Sequence, residues 1–205
     1  DQRLMAEPDI VSVTTVANEV VTFSPVGGVW RQTWPTARPA RGSLSSSGAA
    51  GTYTYRPPGS LEQSVFRASD GKLVTLRNVG TGHEAQISYD ANGLPQTITD
   101  SWTGVTWILT IAQRRVTSIV VAGRPDLNWT YQYDNDGNLM TVLAPGSATW
   151  RTYEYVANRM TASRDALGNL IESHTYDAYG WAIDSTGDAD EIASIQYDLP
   201  GSTPE

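Results

Sequence analysis

His83 and His174 are the two histidines of the chain, and the absence of cysteine beside them sets narrow limits on catalysis. Thiol nucleophiles, disulfides and cysteine-ligated zinc are excluded. His83 stands next to Glu84 in a Gly-Thr-Gly-His stretch and His174 alternates with Tyr176. No Gly-x-Ser-x-Gly elbow exists to complete a hydrolytic triad with either. Carboxylates are plentiful, 22 Asp and Glu. A glycosidase needs two of them held about 5–9 Å apart across a cleft. Here the Asp residues recur at turn-like positions, where a structural repeat places them. The acidic run from Asp184 to Glu191 has the composition of a calcium loop without the twelve-residue spacing, and reads as a solvated loop. The last candidate is a column of indoles, Trp107, Trp129 and Trp150, spaced by 22 and 21 residues. Such a column serves as an inner packing stripe or as a platform for a flat, neutral glycan. These residues assign no catalytic group, no metal and no cofactor.

The elements that position them are strands. Three segments overlay: Tyr89-Asp90-Ala91-Asn92-Gly93-Leu94, Tyr133-Asp134-Asn135-Asp136-Gly137-Asn138-Leu139 and Tyr176-Asp177-Ala178-Tyr179-Gly180-Trp181-Ala182, with a worn copy at Tyr155 to Met160. The apolar residue after each turn falls at Leu73, Leu94, Val116, Leu139, Met160 and Ala182, in steps of 21 to 23, with Tyr197-Asp198 a further mark. A period of that size is the signature of a repeat architecture. The Val116 copy lacks both Tyr-Asp and Gly and is included on spacing and alternation alone. In each unit an alternating run such as Trp129–Tyr133 is a strand, Asp-x-x-Gly is a turn with Gly at positive φ, and Leu139–Leu143 is the return. A lone hairpin is marginal in water, whereas stacked hairpins stabilise one another. Each repeat Tyr is expected to pack its ring on the ring of the preceding copy, and each Asp to cap its turn. The expected fold is all-β: antiparallel hairpin repeats stacked into one twisted or spiralling sheet.

Residues 1–60 are expected to form irregular hairpins leading into the repeats of 61–198, with a disordered tail at 199–205. Strands are expected at Ile10–Val16, Asn18–Phe23, Val29–Trp34, Tyr53–Tyr55, Val65–Arg67 and Leu73–Leu76. Pro35–Gly51, rich in Pro, Ser, Gly and Ala, is expected to be one long loop. Residues 1–80 carry 8 basic and 6 acidic side chains, whereas residues 81–205 carry 6 and 16. The net charge of −8 argues against nucleic acid as a partner. No apolar run approaches the ~20 residues that span a bilayer, so membrane insertion is not expected. No signal peptide is visible in the chain, whose first residue is Asp1.

The Tyr-Asp segments, with Asp165-Ala166-Leu167-Gly168-Asn169-Leu170 leading to Thr175-Tyr176-Asp177 and Ser69-Asp70-Gly71-Lys72-Leu73 ahead of the regular copies, resemble the Tyr-Asp repeats of the RHS family. The likeness spans roughly residues 20–198. The family pattern is Tyr-Asp-x-x-Gly-Arg-Leu. Here Leu94, Asn138, Asn169 or Trp181 follows the turn glycine instead of Arg, and in the first copy no residue separates Gly93 from the apolar mark. The family motif ending in Asp-Pro-x-Gly and its self-cleavage site are absent. The resemblance implies a β-ribbon that winds into a shell, as in bacterial polymorphic toxins, insecticidal toxin complexes and teneurins. Six repeats are few for a closed shell, so a partial shell or a miniature is expected. The function implied is a non-catalytic structural or interaction module, secreted or at the cell surface and toxin-associated. It would scaffold, enclose or adhere to a protein partner or the remainder of a shell through sheet-edge pairing. A carbohydrate-binding module using the tryptophan face and a glycosidase-type hydrolase using turn carboxylates are the two alternatives.

Overall fold

A computed structural model describes residues 2–7, 10–34, 41–187 and, as backbone alone, 192–194. Tyr197-Asp198, the tail 199–205 and the acidic run beyond Gly187 lie outside the described residues. The chain divides into two compact units, Asp1–Leu109 and Thr110–Glu205.

Unit 1 opens with a four-stranded antiparallel sheet in chain order: β1 (Arg3–Glu7), β2 (Ile10–Thr14), β3 (Val20–Val26) and β4 (Val29–Trp34). A second run of antiparallel strands follows: β5 (Ser43–Ser47), β6 (Thr52–Arg56), β7 (Glu62–Arg67), β8 (Leu73–Asn78), β9 (Glu84–Tyr89), β10 (Pro95–Asp100) and β11 (Thr106–Ala112). Alternation decides what is buried. Val11 and Val13, and Val21 and Phe23, are two residues apart, so each pair faces one side of its strand. With Leu4 they meet Leu44, Tyr55 and Phe66 of β5–β7 in the hydrophobic core. The Phe23 and Tyr55 rings meet edge to face, 6.1 Å between centroids. The Tyr55 hydroxyl donates to the Arg41 carbonyl at 2.6 Å. The Leu4 amide donates to the Gly71 carbonyl, tying β1 to the β7–β8 turn.

Two expectations change here. The first four strands form a sheet of their own, so unit 1 has two layers and not one continuous sheet. Pro35–Gly51 is interrupted by β5, which pairs with β6 from Ser43↔Arg56 to Ser47↔Thr52. Serine has poor strand propensity, but burying Leu44 against the first sheet outweighs it. The strands expected at Val29–Trp34, Tyr53–Tyr55, Val65–Arg67 and Leu73–Leu76 are present, those at 53–55, 65–67 and 73–76 as parts of longer strands.

Unit 2 takes up the end of β11 and continues with β12 (Arg115–Val121), β13 (Arg124–Tyr133), β14 (Leu139–Ala144), a 3-10 turn (Pro145–Ser147), β15 (Ala148–Val156), β16 (Arg159–Asp165), β17 (Leu170–Tyr176), β18 (Ala182–Thr186) and β19 (Ile192–Ser194). From β12 onward each strand pairs antiparallel with the next. The β11–β12 hairpin turns at Gln113 and Arg114, both at positive φ, and the β15–β16 hairpin turns likewise at Ala157 and Asn158. Thus the copy without Tyr-Asp or Gly is a hairpin too, closed by a two-residue turn.

Bulges recur with the hairpins. Tyr133 pairs with Leu139 and Gln132 with Thr141, leaving Met140 without a partner. The same skip leaves out Val74, Gln96, Thr161 and Ile183. One extra residue on each return strand bends it and increases its twist, the local geometry of a winding sheet. Neither unit closes its sheet among the described residues. The register also moves one mark. The residue opposite Tyr89 is Pro95, as Leu139 is opposite Tyr133 and Ala182 opposite Tyr176. Leu94 is therefore the equivalent of Asn138 and Trp181, and the apparent one-residue deletion after Gly93 disappears.

Candidate functional site

The repeat residues come together in a clasp that occurs three times. Tyr89, Tyr133 and Tyr176 end β9, β13 and β17, one residue before their turns. Their hydroxyls donate to the carbonyls of Leu73, Val116 and Met160 at 2.6, 2.8 and 2.7 Å. The acceptor lies on the preceding hairpin, at the start of the strand before the tyrosine's own and 16 or 17 residues back. The residue before each acceptor is a cation, and it sits over the tyrosine ring: Lys72 at 4.9 Å, Arg115 at 5.9 Å and Arg159 at 6.0 Å from the centroid. No tyrosine–tyrosine ring contact occurs in the repeats among the described residues, so the ring-on-ring ladder is replaced by rings under cations. Burial pushes the Tyr89 and Tyr133 hydroxyls above the ordinary tyrosine range.

The turn completes the clasp. Gly93, Gly137 and Gly180 have φ of +78, +88 and +87°. A side chain at any of them would strike Lys72, Arg115 or Arg159 respectively. Arg115 Nε also donates to the Gly137 carbonyl at 3.1 Å. Asp90, Asp134 and Asp177 each accept, at 2.8 Å on Oδ1, the amide of the residue four positions on: Leu94, Asn138 and Trp181. The Asn138 side chain reinforces Asp134 at 2.9 Å and holds its carboxyl below the ordinary range. These carboxylates are turn caps. Tyr155 is the exception. Its turn is the two-residue kind, and its hydroxyl has no hydrogen-bond partner among the described residues.

Equivalent clasps stand 43 or 44 residues apart, twice the 21–23 step. The step counts hairpins, and the clasp counts pairs of hairpins. The signal was in the sequence: Lys72, Arg115 and Arg159 precede every second apolar mark.

The tryptophans are neither a buried stripe nor a bare platform. Trp107 and Trp129 are half-buried and Trp150 is 46% exposed. Trp150 is a bulge residue, skipped between Val142↔Arg151 and Leu143↔Thr149. It meets Trp129 edge to face at 5.7 Å, and the Arg151 guanidinium lies 4.7 Å from its ring.

The histidines part ways. His174 Nε2 is 3.5 Å from Glu172, whose other oxygen accepts from Ser163 at 2.9 Å. His83 packs on Trp102 at 4.5 Å and lines a cleft in unit 1 with Glu62, Glu84, Arg77 and Asp100. Sequence reasoning missed this cleft because its groups come from four different strands. Among the described residues no group of His, Asp and Glu is arranged to hold a metal ion. Among the described residues no helix is long and apolar enough to cross a membrane. No model of a known protein family matches the chain, and no curated protein matches it.

Proposed function

We propose that the chain is a structural and interaction module of the Tyr-Asp repeat kind, similar to the RHS family, that scaffolds, encloses or adheres to a protein partner outside the cell and performs no reaction of its own. The observation that carries this reading is the threefold clasp. The tyrosines, the turn aspartates and the cations, which would have to be free for acid–base work, are held in one contact pattern at every occurrence. Edge strands supply the means of attachment, since β1 and β4 each have a single paired side. Light scattering over a concentration series tests it. Edge pairing predicts mass that rises with concentration, and a monomer at every concentration contradicts it. A panel of glycosides tests the hydrolase alternative, because turnover that disappears in Glu84→Gln overturns the non-catalytic reading.

One observation favours a second reading, glycan binding: the exposed, bulge-borne Trp150 beside Trp129. Retention on immobilised polysaccharide that is lost in Trp150→Ala, with the fold intact, supports it.

A further inference from the structure

Arg151 of β15 has its Nε shut off from water with no hydrogen-bond partner, and its two outer nitrogens, open to solvent, have none either among the described residues. The residue opposite on β16 is Asp165. No ion pair joins them, because Asp165 spends both oxygens on its own turn: Oδ1 accepts the amides of Leu167 and Asn169, and Oδ2 accepts from the Asn169 side chain. A buried donor without an acceptor costs stability, and a charge partly removed from water gains more from a counter-ion than an exposed one does. Stacking fixes the guanidinium in place, 4.7 Å from the centre of the Trp150 ring.

Its surroundings are aromatic. Tyr131 is opposite Val142 and Val142 opposite Arg151, so the three share a face. Trp129, two before Tyr131, and Tyr153, two after Arg151, share it too. The bulge at Trp150 turns that ring to the same side, where it meets Trp129. The indole N–H groups and tyrosine hydroxyls of these four aromatic residues have no hydrogen-bond partner among the described residues. Indole and guanidinium only donate. The face is therefore rich in donors, poor in acceptors and apolar between them. A fitting ligand brings acceptors, an apolar ring face and a negative charge for Arg151. β13 and β15 lie about 10 Å apart across it.

We propose that this face binds a glycan through a uronate, a sugar ring that carries a carboxylate. The carboxylate sits on the outer nitrogens of Arg151, and the C–H face of the ring lies against Trp150. The inference rests on the glycan reading of Trp150 and names the sugar. Two parallel N–H···O bonds make the contact a charge-assisted fork. Residues 81–205, with 6 basic and 16 acidic side chains, repel a polyanion, so the ligand is an isolated uronate in an otherwise neutral chain.

NMR titration of the isotope-labelled whole chain, followed at the tryptophan indole signals, tests it with three probes. Cellobiouronic acid has the ring and the carboxylate, cellobiose has a hydroxymethyl in place of the carboxylate, and acetate has no ring. The expected result is saturable shifts with cellobiouronic acid, about tenfold weaker affinity for cellobiose, and no saturation with acetate over the same range. Arg151→Met should bring cellobiouronic acid down to the affinity of cellobiose, and Trp150→Ala should abolish both. Because Arg151 has no protein acceptor to lose, Arg151→Met should melt within about 4 °C of the parent. A larger fall gives the guanidinium a structural role and overturns the site. Equal affinity for the two disaccharides, a preference that survives in Arg151→Met, or acetate binding as tightly as cellobiouronic acid overturns the uronate and leaves the glycan reading standing. No saturable shift with either disaccharide overturns both.

Discussion

Residues 1–109 bury eight apolar or aromatic side chains between two sheets. In residues 110–205 the buried side chains among those described are Val142, Ala162 and Ser163. The same hairpin unit is thus stabilised in two ways. In unit 1 the strands are held by a hydrophobic core, and removing apolar surface from water is the principal driving force of folding. In unit 2 a single layer has little apolar area to remove from water, so backbone ladders and directed polar contacts between neighbouring hairpins carry more of the load. The Tyr89 clasp stands in unit 1 beside a core, and the Tyr133 and Tyr176 clasps stand in the single layer. The same contact thus serves beside a core in one place and in a single layer in the other.

The comparison breaks most sharply at the core. Phe66→Ala is expected to cost about 3–5 kcal/mol in urea unfolding, as for other buried aromatics. The loss should appear as faster amide exchange across β1–β7, and a cost near that of a surface change would contradict a core at this position. Next comes Gly137→Val. It forces a β-branched residue to φ near +88° and drives its side chain into Arg115, at a cost of about 1–3 kcal/mol. An unchanged melting temperature refutes the turn. Arg115→Ala is expected to cost about 1 kcal/mol, because it removes both the Gly137 carbonyl bond and the cation over Tyr133. Arg159→Ala, which loses the cation over Tyr176, should cost less.

The smallest effect is in pH. Arg67 holds the Asp70 carboxyl at about 2 through a bidentate pair, at 2.9 and 2.5 Å. The unfolded value is about 3.9, so the folded state gains stability above roughly pH 4 and loses it as pH falls through 2. The group is a third exposed, so the gain is small. Melts between pH 5 and 2 should show a slope that Asp70→Asn flattens, and equal slopes in both proteins would contradict the pairing.

Much of this was legible in the residues. Tyr-Asp-x-x-Gly at a near-constant step implied hairpins, turn glycines and capping aspartates. Asp134 and Gly137 sit where the pattern placed them, because a turn is decided by neighbours in the chain. What needed coordinates was contact at a distance. β5 was hidden because Ser43–Ser47 carries one apolar residue, Leu44, whose burial depends on strands β1–β3. The acceptor of each tyrosine hydroxyl lies 16 or 17 residues back, so the clasp's true period of 43–44 was masked by the louder 21–23. The cleft in unit 1 draws single residues from four strands, and no linear motif marks it.

The central claim is that Tyr89, Tyr133 and Tyr176 form one class of contact to which Tyr155, at the same hairpin step, does not belong. Urea unfolding of the four Tyr→Phe variants, followed by amide exchange, tests it most directly. Removing the hydroxyl from Tyr89, Tyr133 or Tyr176 strips a carbonyl of its donor and should cost about 1 kcal/mol each. Tyr155→Phe should stay within about 0.5 kcal/mol of the parent. Equal losses in all four, or the largest loss at Tyr155, would contradict a two-hairpin repeat.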